Sequence, residues 1–244
     1  MSSSPRTLPS STESSVESLP SSSPSDPTTP PPSTSTTSST PAPSSSVRYS
    51  DRLFITGRSG TGKSHLARAL YLSATAPRIV LDPADSDLTH TPGCVTVRDP
   101  RRLPADAATV RFVPTDPFDY DVYDAVGRWI FNHYPRYVWL DEAGIIAPHQ
   151  GAPKAIRQLV VQGRKRSIGM LALHTRPREV DRALISNSAH VIAFPLVNSD
   201  DRRHLADLAG VGYRDLDDTM GQLDEFEFIW WDQRRATITV CPPI

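Results

Sequence analysis

From residue 52 onward, short apolar runs alternate with amphipathic stretches and turn residues. Runs at 52–56, 78–82, 137–140, 168–175 and 189–194 are too short for helices and carry the continuous apolar character of strands buried on both faces. Two smaller strands are predicted at 95–98 and 109–113, within a loop-rich region punctuated by Pro83, Pro92, Pro100 and Pro104. Between the strands the period lengthens. Helices are predicted over 64–74, 117–133, 154–162 and 200–208, the last ended by Gly210, and a further one opens at Arg176-Pro177. In the second of these, Phe118, Val122, Val126, Trp129, Ile130 and Phe131 recur at spacings of three and four, as one face of a helix packed on a core does. Residues 145–153, with Pro148, Gly151 and Pro153, read as a loop. Residues 226–231 and 236–240 read as a closing antiparallel hairpin. Alternating strands and helices imply an α/β fold, a mostly parallel sheet covered by helices.

Composition changes the picture at the N-terminus. Residues 1–46 hold 19 Ser, 8 Thr and 10 Pro, which cannot supply a packed core, so this stretch is expected to be a disordered tail. It carries neither the apolar run of a secretory signal nor the repeated arginines of a mitochondrial presequence. A solvated spacer is the simplest reading of it, and a phosphorylated or partner-binding tail the other. Residues 47–244 are then expected to form one domain with a sizeable core. Excluding the tail's Arg6, Glu13, Glu17 and Asp26, charges nearly balance, at 25 basic and 24 acidic. Net charge therefore does not announce a nucleic-acid partner, and local clustering or assembly would have to supply one. Cys94 and Cys241 form no C-x-x-C pair, which argues for a reducing compartment and against structural zinc. No apolar stretch is long enough to span a membrane.

Candidate chemistry begins where the first strand ends. Gly57-Arg58-Ser59-Gly60-Thr61-Gly62-Lys63-Ser64 matches the phosphate-loop pattern G-x-x-x-x-G-K-[ST] at every specified position, with a strand before it and a helix after it. Glycines allow successive N–H groups to form an anion-binding nest, and the following helix points its positive end at the phosphates. Lys63 can reach the β- and γ-phosphates, and the Ser64 hydroxyl can bind Mg²⁺. About 80 residues further on, Tyr137-Val138-Trp139-Leu140-Asp141-Glu142 delivers two carboxylates at the end of a buried strand. Ligands of open parallel sheets sit outside such strand ends. Asp141 is expected to hold Mg²⁺ and Glu142 to polarise the attacking water, which points to hydrolysis of ATP over nucleotide storage.

Gly163-Arg164-Lys165-Arg166 closes the helix at 154–162, where cations suit the macrodipole. A solvated cap, an arginine finger entering a neighbouring subunit, and a contact to DNA phosphates are all open readings of this segment. The strand that follows ends in His174-Thr175, either of which could donate to a γ-phosphate. A satisfied strand-end histidine is the plainer reading of His174, and no second His stands at metal-ligand spacing.

Taken together, the phosphate loop, Val80-Leu81-Asp82-Pro83, Leu140-Asp141-Glu142 and the run from Gly163 to Pro177 resemble the FtsK/HerA superfamily of additional-strand P-loop ATPases. Within it they resemble the compact genome-packaging ATPases of tailless viruses with an internal membrane. Asn187 and the strand at 190–194 follow as in that family, and coverage is roughly residues 52–210. Specificity rests on the last run, similar to the family's basic segment and its strand ending in Thr-Gln-Arg-Pro. Here the sensor Gln is replaced by Thr175, preceded by His174. The resemblance implies a mostly parallel sheet of the additional-strand type and Mg-dependent ATP hydrolysis coupled to movement of double-stranded DNA. It also implies a homo-oligomeric, hexameric ring and contact with capsid or internal-membrane vertex proteins. Lys63, Glu142, Thr175 or His174, and Arg164 or Arg166 from the next subunit would be the catalytic groups. The location implied is the cytoplasm, or the virion if the chain is viral. An ATP-gated helper or loader for replication, transposition or conjugation, without translocation, is the alternative.

Overall fold

The computed structural model describes residues 48, 50–75 and 77–243; the tail expected at 1–46 lies outside the described residues. One nine-stranded sheet organises them. Its strands are β1 (Arg52–Thr56), β2 (Arg78–Leu81), β3 (Val95–Val97), β4 (Thr109–Phe112), β5 (Arg136–Leu140), β6 (Ile168–His174), β7 (His190–Ala193), β8 (Phe228–Asp232) and β9 (Thr237–Cys241). The spatial order is β3-β4-β2-β5-β6-β1-β7-β8-β9. All pairs from β3 to β7 are parallel, and β8 and β9 add the expected antiparallel hairpin at the β7 edge. Strand β6 lies between β1 and β5, so the strand leading into the phosphate loop and the strand carrying Asp141 are not neighbours.

Side-chain alternation divides the central strands between two cores. On one face, Leu53, Ile55, Tyr137, Trp139, Leu171 and Leu173 pack against Leu66, Ala67 and Tyr71 of α1 (Lys63–Ser73). The opposite face presents Phe54, Val138, Leu140, Met170 and Ala172 to α2 (Tyr120–Asn132), α4 (Lys154–Gln162) and α6 (Ser199–Ala209). Burial on both faces is why these strands read as unbroken apolar runs. Trp139, fully buried against Tyr71 at a ring separation of 5.4 Å, is the largest side chain in the first of these cores.

Several local expectations are corrected. The helix expected from residue 117 starts at Tyr120, because the Asp119 carboxylate accepts the Asp121 amide at 3.1 Å and caps it there. Phe118 therefore falls outside the helix and is 64% exposed. No continuous helix opens at Arg176-Pro177. A single 3-10 turn at Pro177–Glu179 gives way to extended Val180, and Asp181 then caps a separate helix, α5 (Arg182–Ser186), by accepting the Ala183 amide at 2.8 Å. The loop expected from 145 is preceded and partly replaced by one helical turn, α3 (Ala143–Ile146). A helix that the pattern did not suggest, α7 (Tyr213–Gly221), buries only Leu216 and Met220, too sparse a stripe to stand out among its acidic residues.

Candidate active site

Parallel topology brings the C-terminal ends of β1, β5, β2 and β6 to one edge of the sheet. The phosphate-loop residues, Asp82, the Asp141-Glu142 pair and His174 all lie there. The loop turns sharply out of β1. Gly57 takes φ +143°, and a Cβ there would stand 2.5 Å from the Cβ of Phe194, so no larger residue fits. Arg58, Ser59 and Gly60 are exposed, while Thr61 and Lys63 are buried beneath them. Thr61 Oγ1 and Lys63 Nζ donate to the Arg58 carbonyl at 2.8 and 2.6 Å, which holds the loop closed on itself. Burial lowers the Lys63 pKa, and the charges of Glu142 and Asp141 offset that effect, so both carboxylates act on this ammonium. Beside the loop an open cavity of about 250 Å³, lined by Thr61, Gly62, His65, Phe194, Phe226 and Pro243, offers aromatic surface suited to a flat base.

Asp141 is 6% exposed. Burial, then the negative charges of Asp82 and Glu142, push its pKa up to about 7, which Lys63 offsets only in part. A buried carboxylate short of positive charge, on the same edge as the half-buried Ser64 hydroxyl, is an oxygen donor set that suits Mg²⁺. The residues present therefore fit the ion.

The raised value has a consequence for stability in the absence of nucleotide and Mg²⁺. Between about pH 4 and 7 the folded state keeps the Asp141 proton that the unfolded chain has lost, so stability falls as pH rises through this window. Glu142, held below its ordinary value first by the hydrogen bond to His174, gains stability with rising pH but in a lower window. His204, lowered by burial, opposes Asp141 below about pH 6.5. The measurement is therefore a difference: with EDTA present, the wild-type melting temperature is expected to fall relative to that of Asp141→Asn between pH 5.5 and 7.5. Parallel curves would rule out a raised Asp141.

Glu142 sits in the left-handed region at φ +49°, ψ +56°, an uncommon conformation for a residue with a long side chain. It is the junction between β5 and α3 and carries its carboxylate toward β6. His174 Nδ1 lies 3.1 Å from Glu142 Oε2, and His174 Nε2 lies 3.2 Å from Glu179 Oε2. A neutral ring can donate to one of these carboxylates, an imidazolium to both. The ring lies over Gly144, where a Cβ would come within 2.4 Å of Nε2. Glu179 in turn pairs with Arg176 at 3.0 Å, and Arg176 with buried Asp201 of α6 at 3.2 Å. Thus His174 connects Glu142 to the helical layer. Thr175, the other sensor candidate, is half-buried next to it, and its carbonyl accepts from Thr56 Oγ1 at 3.4 Å.

The Asp-Pro after β2 supplies a structural anchor that sequence reading noticed only as a motif. Asp82, with no exposed side-chain surface, accepts from Arg111 Nη2 at 2.7 Å, from Thr89 Oγ1 at 2.5 Å and from the Ser86 amide at 2.9 Å. The signal available was an arginine inside the apolar run Thr109 to Val113. The two arginine-finger candidates separate. Arg166 is tied into its own chain, donating to the Phe131 carbonyl at 3.0 Å with its guanidinium 4.1 Å from the Phe131 ring centre. Arg164 is exposed, but at the start of β6, on the sheet edge opposite the phosphate loop.

No protein-family model matches the chain, and no curated protein matches it in sequence. Solved structures do match in fold. The genome packaging NTPase B204 from Sulfolobus turreted icosahedral virus 2, in complex with ATP-gammaS, superposes with a TM-score of 0.68 at 15% identity, over 81% of this chain and 100% of that one. VirB4 of Thermoanaerobacter pseudethanolicus gives 0.62 at 11% identity over 81% and 92%. The pCW3 conjugation coupling protein TcpA with ATPgS gives 0.53 at 12% over 78% and 59%. The chain shares the P-loop NTPase fold of these structures, its mostly parallel sheet carrying the extra strand β6 between the phosphate-loop strand and the Asp141 strand.

Proposed function

We propose that the protein is a Mg-dependent ATPase that moves double-stranded DNA as a homo-oligomeric ring, with packaging of a viral genome as its task. The observation that carries the ATPase reading is the placement of Lys63, Asp141 and Glu142 on one sheet edge, close enough that both carboxylates perturb the lysine. In this reading the loop amides and Lys63 hold the phosphates, and the adenine lies in the aromatic cavity beside Phe194 and Phe226. Ser64 and Asp141 would hold Mg²⁺, which when bound would neutralise phosphate charge. Glu142 takes the proton of the attacking water, and His174 orients that carboxylate through the 3.1 Å contact. Arg164, exposed on the far edge, is free to approach a neighbouring copy's site as the arginine finger, a role for which Arg166 is committed elsewhere.

Movement of DNA rests on the fold neighbours: a genome packaging NTPase and a conjugation coupling protein share this architecture. The presence of the latter favours a second reading, an ATP-gated helper of DNA transfer without translocation. ATP hydrolysis measured with and without duplex DNA, over a range of protein concentrations, tests the motor. Stimulation by DNA and a rate per chain that rises with concentration are expected. Hydrolysis indifferent to both would remove the ring motor and leave a solitary ATPase. Translocation on single DNA molecules then separates the pump from the ATP-gated helper.

A further inference from the structure

The edge of the sheet opposite the phosphate loop carries a second cavity, this one polar, of about 310 Å³. It opens at the N-terminal ends of β1, β6 and β7, separated from the chain's own phosphate loop by the length of β1, about 17 Å. Its wall includes Arg52, Arg164 and Arg234, with Ser50, Ser186 and Asn187, and no acidic side chain among the described residues. Arg52 is the unusual member. As the first residue of β1 it is 7% exposed, yet its Nε and Nη2 are buried with no hydrogen-bond partner among the described residues. Unpartnered buried guanidinium groups are rare because each donor removed from water must be compensated. The acid next to it in sequence, Asp51, is taken up by other donors. Asp51 is wholly buried and accepts from the Arg48 amide at 2.8 Å, from His190 at 3.4 Å and from the Arg234 guanidinium. Burial first, and the charge of Arg164 second, press against the ionised form of Arg52.

A cavity walled by three arginines, one of them buried with donors unpartnered among the described residues, suits an anion with several acceptor oxygens. We infer that this cavity is a phosphate-binding site anchored by Arg52, which takes a phosphate group either from a free phosphate or nucleotide or from the backbone of duplex DNA. A guanidinium fork suits that geometry through paired N–H···O bonds, and hydroxyl groups at the rim can complete the shell. Occupation would satisfy the Arg52 donors and relieve the repulsion between Arg52 and Arg164.

The test uses the full chain without ATP turnover, so its failure leaves the ATPase reading untouched. In a Lys63→Ala background, which weakens the other phosphate site, melting temperature is followed as inorganic phosphate replaces chloride at constant ionic strength. Phosphate is expected to raise it. Adding Arg52→Met should weaken that response about 10- to 100-fold in phosphate concentration, while Arg52→Lys retains part of it. Arg52→Met alone should melt higher than wild type in chloride, since it replaces an unpaired buried charge with an apolar chain of similar length; a purely structural arginine would do the reverse. Labelled duplex DNA distinguishes the sources: binding weakened by Arg52→Met and competed by phosphate identifies the backbone, whereas DNA binding unaffected by the variant identifies a free phosphate or nucleotide. The absence of a phosphate response, or a response unchanged by Arg52→Met, overturns the proposal.

Discussion

Replacing Glu142 with Gln is expected to leave ATP binding intact and to slow hydrolysis about 10²- to 10⁴-fold, the usual contribution of a positioned general base. Gln has nearly the same shape and can still meet His174 Nδ1, so the geometry of the β5–α3 junction is kept and only basicity is lost. The effect should be this large because Glu142 is the carboxylate held by its environment in the ionised form. His174 lowers its pKa by hydrogen bonding, while neighbouring Asp141 is pushed up to about 7. Two adjacent carboxylates with pKa values driven apart take different roles: one bears a proton until a cation arrives, the other is ready to accept one. Nucleotide affinity measured by fluorescence, alongside steady-state turnover, separates the two effects. Near wild-type turnover would assign the base to another residue. Loss of binding and turnover together would mean that the amide had disturbed the loop.

Arg111→Met is expected to destabilise the fold by about 3–5 kcal/mol, the typical result of removing one partner of a buried ion pair. Asp82 has no exposed side-chain surface and Arg111 only 7%. The guanidinium also donates to the Ser86 carbonyl at 3.2 Å and to Asp85 at 2.7 Å, so it ties the whole turn after β2 to β4. Without it, Asp82 would be a buried charge with only Thr89 and the Ser86 amide to satisfy it, beside an Asp141 it already disfavours as an anion. Denaturant unfolding of the single variant and of Asp82→Asn, Arg111→Met provides the check. The double variant should recover much of the loss, because a neutral amide tolerates burial where a carboxylate does not. A loss below about 1 kcal/mol in the single variant would mean that water reaches Asp82.

The parts of the site that could be read in the chain are those whose meaning is local. Gly57 to Ser64 carries its own backbone requirement, and the apolar run before Asp141 signals a strand buried on both faces wherever it lies in the sheet. The closing hairpin was legible for the same reason, since its two strands are neighbours in sequence as in space. Misread elements were those where one side chain outweighs a periodic pattern: Asp119 begins α2 later than the apolar stripe suggests, and Asp181 starts a new short helix where a continuous one was expected. Helix α7 escaped because its buried stripe comprises two residues.

What no pattern along the chain contained is the partnership between distant residues. Insertion of β6 between β1 and β5 sets Thr56 beside His174 in register, 118 positions apart, and this crossing brings Glu142 and Glu179 to opposite sides of one imidazole. Arg52 and Arg111 looked alike in sequence, each an arginine in an apolar strand. One is satisfied by Asp82, and the other faces a cavity with two donors unpartnered among the described residues. The phosphate loop and its glycines follow from backbone sterics acting over a few residues, and the sequence alone determines them. Which charges find partners follows from strand order and burial, which depend on contacts across the whole sheet and so belong to the folded protein.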